Sequence, residues 1–524
     1  MEHPFGPFTV PDIRDFVPEK LKPWILVFFV LVFQLSGGVY LAAVSEMTGS
    51  TALMQEDIMM AGYASLIGLS LNFALMFRLK FRFSIKTSLI TCAAVIILCN
   101  IICVTTHSVP LLVTACLIAG FFRMWGTFAC NTTIQLWVTP TRDFAVWFCY
   151  IYLIVANCIQ LGGLTTGYIS FFTRWEYMHY FIIGMLLLVI LITYIIFRHY
   201  HGMPKLPLFG IDWLGCIMWA VIALCITFVC VYGEHYEWYE SWRIRFASVV
   251  GVITLILNLW RASFIRHPFL CYDVMTHPQI IKIVLVYFAM YLLLGTEHSI
   301  EHIYTEMILG YDSIHAISLN WFVVAGILAG CAFTYITFAL NHWRYKTMVI
   351  LGFVSIFLYL LTMYLNADFN LSYEALVLPM FLRGFGSVIL EIVLLTGIAQ
   401  AGLPFPIFPQ GLLINGLFSA VICGVFGATV VERVFRVMLK SNILHFGSTL
   451  DNVNPDAVNM PISELSWMLQ SHATMVTIKE LYGLLCIVAA LFIIAFLLMR
   501  STLRPSVFHP KWSTVRKLFK RSIG

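Results

Sequence analysis

Two carboxylates and two imidazoles fall at four-residue spacing in Gly295-Thr296-Glu297-His298-Ser299-Ile300-Glu301-His302-Ile303-Tyr304-Thr305-Glu306. On an α-helix, Glu297 neighbours Glu301 and His298 neighbours His302. At about 100° per residue these four, with Tyr304 and Thr305, fill a face roughly 160° wide and leave Ile300 and Ile303 opposite. The preceding run, 280–294, is almost wholly apolar apart from Lys282. A helix begun near Ile280 carries Glu297 about 25 Å along, still within membrane depth. Titratable groups are costly against lipid, so this face is expected to look into a bundle or a wet cavity. The chemistry that suits it is reversible proton binding within a transport pathway.

His298 to His302 also spells H-x-x-E-H, an inverted zinc-protease signature in which both histidines would face one metal beside Glu301. Three fixed positions match often by chance and no third ligand is identifiable. A membrane zinc peptidase is therefore the remote alternative, and no metal or cofactor is expected. Arg123, in Gly120-Phe121-Phe122-Arg123-Met124-Trp125-Gly126, sits mid-span and needs a carboxylate, carbonyls or water. Arg383 and Glu391 lie eight residues apart on one span, sharing a face at about 12 Å without touching. Glu391 reads either as a proton site or as the partner of an arginine. Asn131 and Gln135, with Thr132 and Thr133 between them, read either as ligand contacts or as interhelical hydrogen bonds. Gly162, Gly163 and Gly167 allow close helix approach, and with it a seam on which two half-bundles rock.

These residues must be carried by membrane helices. The 524-residue chain is 60% hydrophobic and 11% charged, with a mean hydropathy of +0.89, more apolar surface than a soluble protein of this length can hide. Among its 14 cysteines only Cys271 falls clearly outside an apolar run, and no pair is spaced C-x-x-C, which argues against a disulfide framework or a zinc ribbon. The net charge of +5 resides largely in flanks rather than in a nucleic-acid surface. Residues 1–22 contain no apolar h-region, so the first span is expected to serve as insertion signal. Counting apolar runs of sufficient length gives about fourteen spans, the first at 24–44 and the last at 481–499. Arg78, Lys80, Arg82 and Lys86, then Arg142, Arg198, Lys205, Arg261, Arg266, Arg344 and Lys346, mark alternate loops as cytoplasmic. The loops between carry Glu46, Glu56 and Asp57, then Glu234, Glu237 and Glu240, then Glu306 and Asp312. Both termini are thus expected in the cytoplasm. The outer loop 432–480 is long enough for a small cap. In the basic tail, Val515, Leu518 and Phe519 share a face opposite Arg516, Lys517, Lys520 and Arg521, which suits either a helix on anionic lipid or a solvated tail.

With these residues in view, the chain resembles the fourteen-span drug/proton antiporters of the major facilitator superfamily, the multidrug-resistance protein B type. Gly162–Gly167, followed by Tyr168-Ile169-Ser170 and Arg174-Trp175, looks like the antiporter motif and its trailing tryptophan. Phe122-Arg123 looks like the arginine motif of the fourth span. Ile303-Tyr304-Thr305-Glu306 with Leu309-Gly310-Tyr311-Asp312-Ser313 resembles the outer end of the ninth, Gly384-Phe385-Gly386 the G-x-G of the twelfth, and Ala473 through Tyr482 the approach to the last. The chain departs from the family at Gly163, which replaces a proline, in the basic loop 78–86, which lacks its aspartate, and at Gly126, which comes one residue early. Gln34-Leu35-Ser36-Gly37-Gly38 stands where the first span carries an aspartate.

The resemblance implies an all-α polytopic protein with the major facilitator fold. It would comprise a cytoplasmic N-terminus (1–22), an N-terminal six-helix bundle (23–200), two linker helices (201–277), a C-terminal six-helix bundle (278–499) and a basic tail (500–524). It further implies proton-coupled efflux of amphipathic or lipophilic small molecules across a bacterial inner membrane, with a periplasmic adaptor and outer-membrane channel as possible partners. With the usual aspartate missing, coupling falls to Glu297, Glu301 or Glu391, aided by His298 and His302. Arg123, Arg383, Asn131, Gln135 and Tyr304 are the candidates for lining a substrate cavity or pairing charge. Symport of an organic anion, clamped by Arg123 and Arg383, and lipid or glycan flipping remain as alternatives.

Overall fold

The computed structural model describes residues 12–37, 39–42, 44, 47–48, 53–139, 143–199, 208, 210–297, 300–404, 407–448, 460–498 and 505. His298, residues 1–11 and the rest of the basic tail lie outside them. The elements begin where local chemistry allows. Proline enters the first turn of α1 (Lys22–Leu35), where its missing N–H costs nothing. A short turn, α2 (Val39–Ala42), follows, then α3 (Gln55–Arg82). Ser84 caps α4 (Ile85–Thr105) by accepting from the Thr87 amide at 3.2 Å. After α5 (Val109–Val138), Asp143 caps α6 (Phe144–Phe172) through the Ala145 amide at 2.9 Å, and α7 (Glu176–Ile196) closes the first half. A strap ahead of α1 buries Ile13 and Val17 and hydrogen-bonds the end of α7, the Arg14 amide to the Ile196 carbonyl at 3.0 Å and the Arg198 amide to the Asp12 carbonyl at 2.7 Å.

Helices α8 (Trp213–Tyr232) and α9 (Trp242–Ala262) form a hairpin. Asp212 ties its open end together, accepting from the Gly215 amide at 2.9 Å and from Arg261 at 2.5 and 3.0 Å. At the other end Tyr232 donates to Asp57 of α3.

The second half contains α10 (Pro278–Leu293), α11 (Ile300–His302) with a π-helical extension Ile303–Ile308, and α12 (Ser313–Leu340). Then come α13 (Tyr345–Asn366), α14 (Tyr373–Ala399), α15 (Phe408–Ser448) and α16 (Ile462–Leu498). Two further π-helical stretches, Tyr335–Leu340 and Leu417–Cys423, lie within α12 and α15.

Twelve of these helices are long and apolar enough to cross a membrane among the described residues, and α1 and α10 are shorter apolar helices. The chain is a multi-pass membrane protein. Helix α6 packs on α12 and α14, and α3 packs on α15, so these three contacts join the halves.

Two expectations are corrected. The ninth span is not one helix from 280 to 304: α10 ends at Leu293 and the chain turns through Leu294–Glu297. There Gly295 packs so closely on α15 that a Cβ would lie 2.6 Å from the Gly427 carbonyl oxygen. The single polar face drawn on that helix therefore does not exist, and Ile300 is buried rather than turned outward. The outer loop 432–480 is no separate cap where it is described. Instead α15 and the 37-residue α16 run on as an antiparallel pair, and at about 1.5 Å per residue α16 exceeds a hydrocarbon core roughly 30 Å thick. Asn442 fastens the pair, donating to Thr477 at 3.0 Å and Glu480 at 2.9 Å.

Candidate functional site

Glu391 is the half-buried carboxylate at the contact between halves. Tyr291 of α10 donates to one of its oxygens at 2.6 Å, and Tyr152 of α6 donates to the other at 2.7 Å. Beside them Tyr287 donates to Asn415 of α15 at 2.8 Å. No cation pairs with Glu391 among the described residues. The reading of Glu391 as the partner of an arginine therefore fails there, because hydroxyls occupy both its oxygens. Such a carboxylate can take up or lose a proton without stranding a counter-charge, and one of its two bonds spans the halves.

Arg383, eight residues earlier on α14, belongs to a different cluster. Its guanidinium contacts Glu301 directly and approaches Glu297 at 3.8 Å. Tyr359 of α13 also donates to Glu301 and lies 3.1 Å from the Thr296 hydroxyl. The Arg383 and Glu301 side chains are 5% and 11% exposed, whereas Glu297 is 29% exposed. Protonating Glu301 would strip a buried guanidinium of its nearest counter-charge, which is costly. Arg383 is thus occupied, and the expectation of a clamp offered to an anionic substrate gives way to an internal ion pair.

His302 turns away from this cluster. Its Nδ1 lies 3.1 Å from Glu306, and both line a cavity of ≈ 700 Å³ with Tyr63 of α3, Glu432 and Arg436 of α15 and Thr474 of α16. The cavity opens at the end of the bundle where α3 starts. At the opposite end Phe144 of α6 meets Phe408 of α15, ring centroids 5.8 Å apart. Tyr304 is not a cavity wall: it is fully buried, and its hydroxyl donates to the Asp368 carbonyl at 3.0 Å. No group of three metal-ligating side chains occurs among the described residues. His298, the first ligand of the zinc reading, lies outside them.

In the first half, Arg123 is 5% exposed, has no carboxylate partner among the described residues, and leaves its Nε without a hydrogen bond. Gln34 of α1 donates to Thr127 at 2.9 Å, one turn along α5. Asn131 is buried with an unpartnered Oδ1, and Gln135 is half-buried. Gly162, Gly163 and Gly167 are all buried on α6, and the Ile317 side chain lies 2.0 Å from where a Cβ on Gly167 would stand. The sequence reading missed Tyr152, Tyr291 and Tyr359. For Tyr152 and Tyr359 the signal was position, since tyrosines in membrane helices usually sit at the interfaces and these two lie well inside α6 and α13, whereas Tyr291 stands near the end of α10.

No protein-family model matches the chain, and no curated protein matches it in sequence. Solved structures do resemble it. One, from work on substrate recognition in proton-dependent oligopeptide transporters, aligns with TM-score 0.58 and 11% identity over 91% of this chain and 98% of its own. Tetrameric PepTSo2 aligns with TM-score 0.56 and 11% identity over 96% and 100%, and the nucleoside transporter NupG with 0.53 and 13% over 92% and 100%. At such identities the likeness concerns architecture alone: this chain has the fold of those solved transporters.

Proposed function

We propose that the protein is a secondary transporter that exports amphipathic or lipophilic small molecules by alternating access, driven by protons, with Glu391 as the proton site. The observation that carries the reading is the pair of hydroxyl donors on Glu391, one from each half. Protonation removes the negative charge for which Tyr152 and Tyr291 compete, so it changes a bond between the two bodies that must move. The sequence had favoured Glu297 and Glu301 for this role. The Arg383 contact makes Glu301 the poorer choice, and Glu297 and His302 become candidates for conducting protons from the cavity.

In this reading α1 with α2, and α10 with α11, complete fourteen crossings. The N-terminal bundle is 23–200, the linker pair 201–277 and the C-terminal bundle 278–499. Both termini face the cytoplasm of a bacterial inner membrane, the ≈ 700 Å³ cavity opens outward, and a periplasmic adaptor with an outer-membrane channel would receive the cargo. Gradient-driven transport by reconstituted vesicles tests the proposal. Glu391→Gln is expected to abolish accumulation driven by a pH gradient while leaving exchange of a fluorescent lipophilic probe without a gradient. Full gradient-driven accumulation by that variant would remove Glu391 from coupling. Comparing inside-out with right-side-out vesicles fixes the direction.

A further inference from the structure

We infer that Arg123 holds the acidic headgroup of an anionic amphipathic substrate, a carboxylate or a phosphate ester on an apolar body; the inference rests on the transport reading above and names its substrate class. A guanidinium removed from water needs an anion or a full set of acceptors, and leaving it alone is strongly unfavourable. Arg383 meets that need within the protein through Glu301 and Glu297. Arg123 does not. It is 5% exposed, no carboxylate pairs with it among the described residues, and its Nε is an orphan donor. Glu46 lies outside those residues.

The fold makes room for this side chain rather than squeezing it out. A Cβ on Gly37 would lie 0.9 Å from Nη1 of Arg123, so the guanidinium occupies the space that any other residue at 37 would fill. The nearest polar side chain of α1, Gln34, is already committed to Thr127. Asn72 of α3 is fully buried with both amide atoms unpartnered. Contacts on either side of it, Ser65 against Gly120 and Phe77 against Phe128, set it level with Arg123. The orphan Nε of Arg123, with the unpartnered Nδ2 donor of Asn72 at the same depth, suits an anion, and the planar fork of arginine suits carboxylate and phosphate in particular. Such a substrate would enter from the cavity, whose lining includes Leu41, four residues past Gly37. The apolar remainder of the substrate would lie along Leu41, Val44, Met59 and Phe435.

Equilibrium binding to the purified protein, without any gradient, tests this. Decanoate and decyl phosphate are compared with decanol, decyltrimethylammonium and inorganic phosphate, read as intrinsic tryptophan fluorescence and confirmed by calorimetry. The two amphipathic anions are expected to bind saturably and about tenfold or more tighter than decanol. Arg123→Gln should remove that preference, and Arg123→Lys should retain part of it. Equal binding of decanol and decanoate, preference for the ammonium probe, or inorganic phosphate binding as well as decyl phosphate would each overturn the inference. The wild-type series decides even if Arg123→Gln fails to fold. Because no gradient is used, loss of anion preference leaves the Glu391 assignment standing, and a fully coupled Glu391→Gln variant leaves anion binding standing.

Discussion

Glu301 and Glu391 are both acidic residues inside apolar helices, yet their surroundings commit them to different work. Glu301 is held by Arg383 and Tyr359, so Glu301→Gln leaves a buried guanidinium under-compensated, a loss of about 3–5 kcal/mol for pairs of this kind. Thermal unfolding of the variant in detergent should show a clear drop, and Glu301→Gln combined with Arg383→Met should recover much of it. An unshifted single variant would mean the pair does not hold the fold together. Glu391→Gln, which strands no cation among the described residues, is expected to unfold close to the wild type. Residue chemistry was partly legible in advance. Glu297, Glu301, Arg383 and Glu391 stand out as charges in apolar runs, but which carboxylate meets which arginine depends on the packing of α11 against α14, and spacing along one helix carries no information about that.

The strap ahead of α1 offers an element whose docking titrates. Burial pushes the Asp12 carboxyl up from 3.8 to about 6, with Lys80 opposing. Between those values the docked strap retains a proton that the released strap has lost, so docking is fully favoured below 3.8 and weakens as pH rises through about 6. Amide exchange at Arg14 and Arg198, corrected for intrinsic rate, should therefore show more protection near pH 4 than near pH 7. Asp12→Asn should erase the difference, and equal protection in the wild type would refute the linkage. Helix positions themselves were readable, since a run of about twenty apolar residues has few other solutions. What eluded reading was continuity. The break after Leu293 comes from a backbone approach to Gly427, and the length of α16 from its pairing with α15, both contacts made with distant parts of the chain.

Across the molecule, the contact between halves is tight at Phe144 and Phe408 and open around the cavity at the other end. Cys149, one turn beyond Phe144 on α6, is buried in this arrangement. Replacing both phenylalanines with alanine should speed modification of Cys149 by a membrane-impermeant maleimide applied from the Phe144 side, read by peptide mass spectrometry. Unchanged labelling would show that the rings do not close that end.

All three π-helical stretches, Ile303–Ile308, Tyr335–Leu340 and Leu417–Cys423, belong to the second half among the described residues. A turn bonded i to i+5 houses one amino acid more than an α-turn. If the halves arose by duplication, as many transporters of internal symmetry did, the later copy has gained single residues without losing its helices. An ungapped comparison of residues 23–200 with 278–499 would then slip out of phase after each of these turns, and the ancestral likeness would surface once one-residue gaps were admitted at those three places.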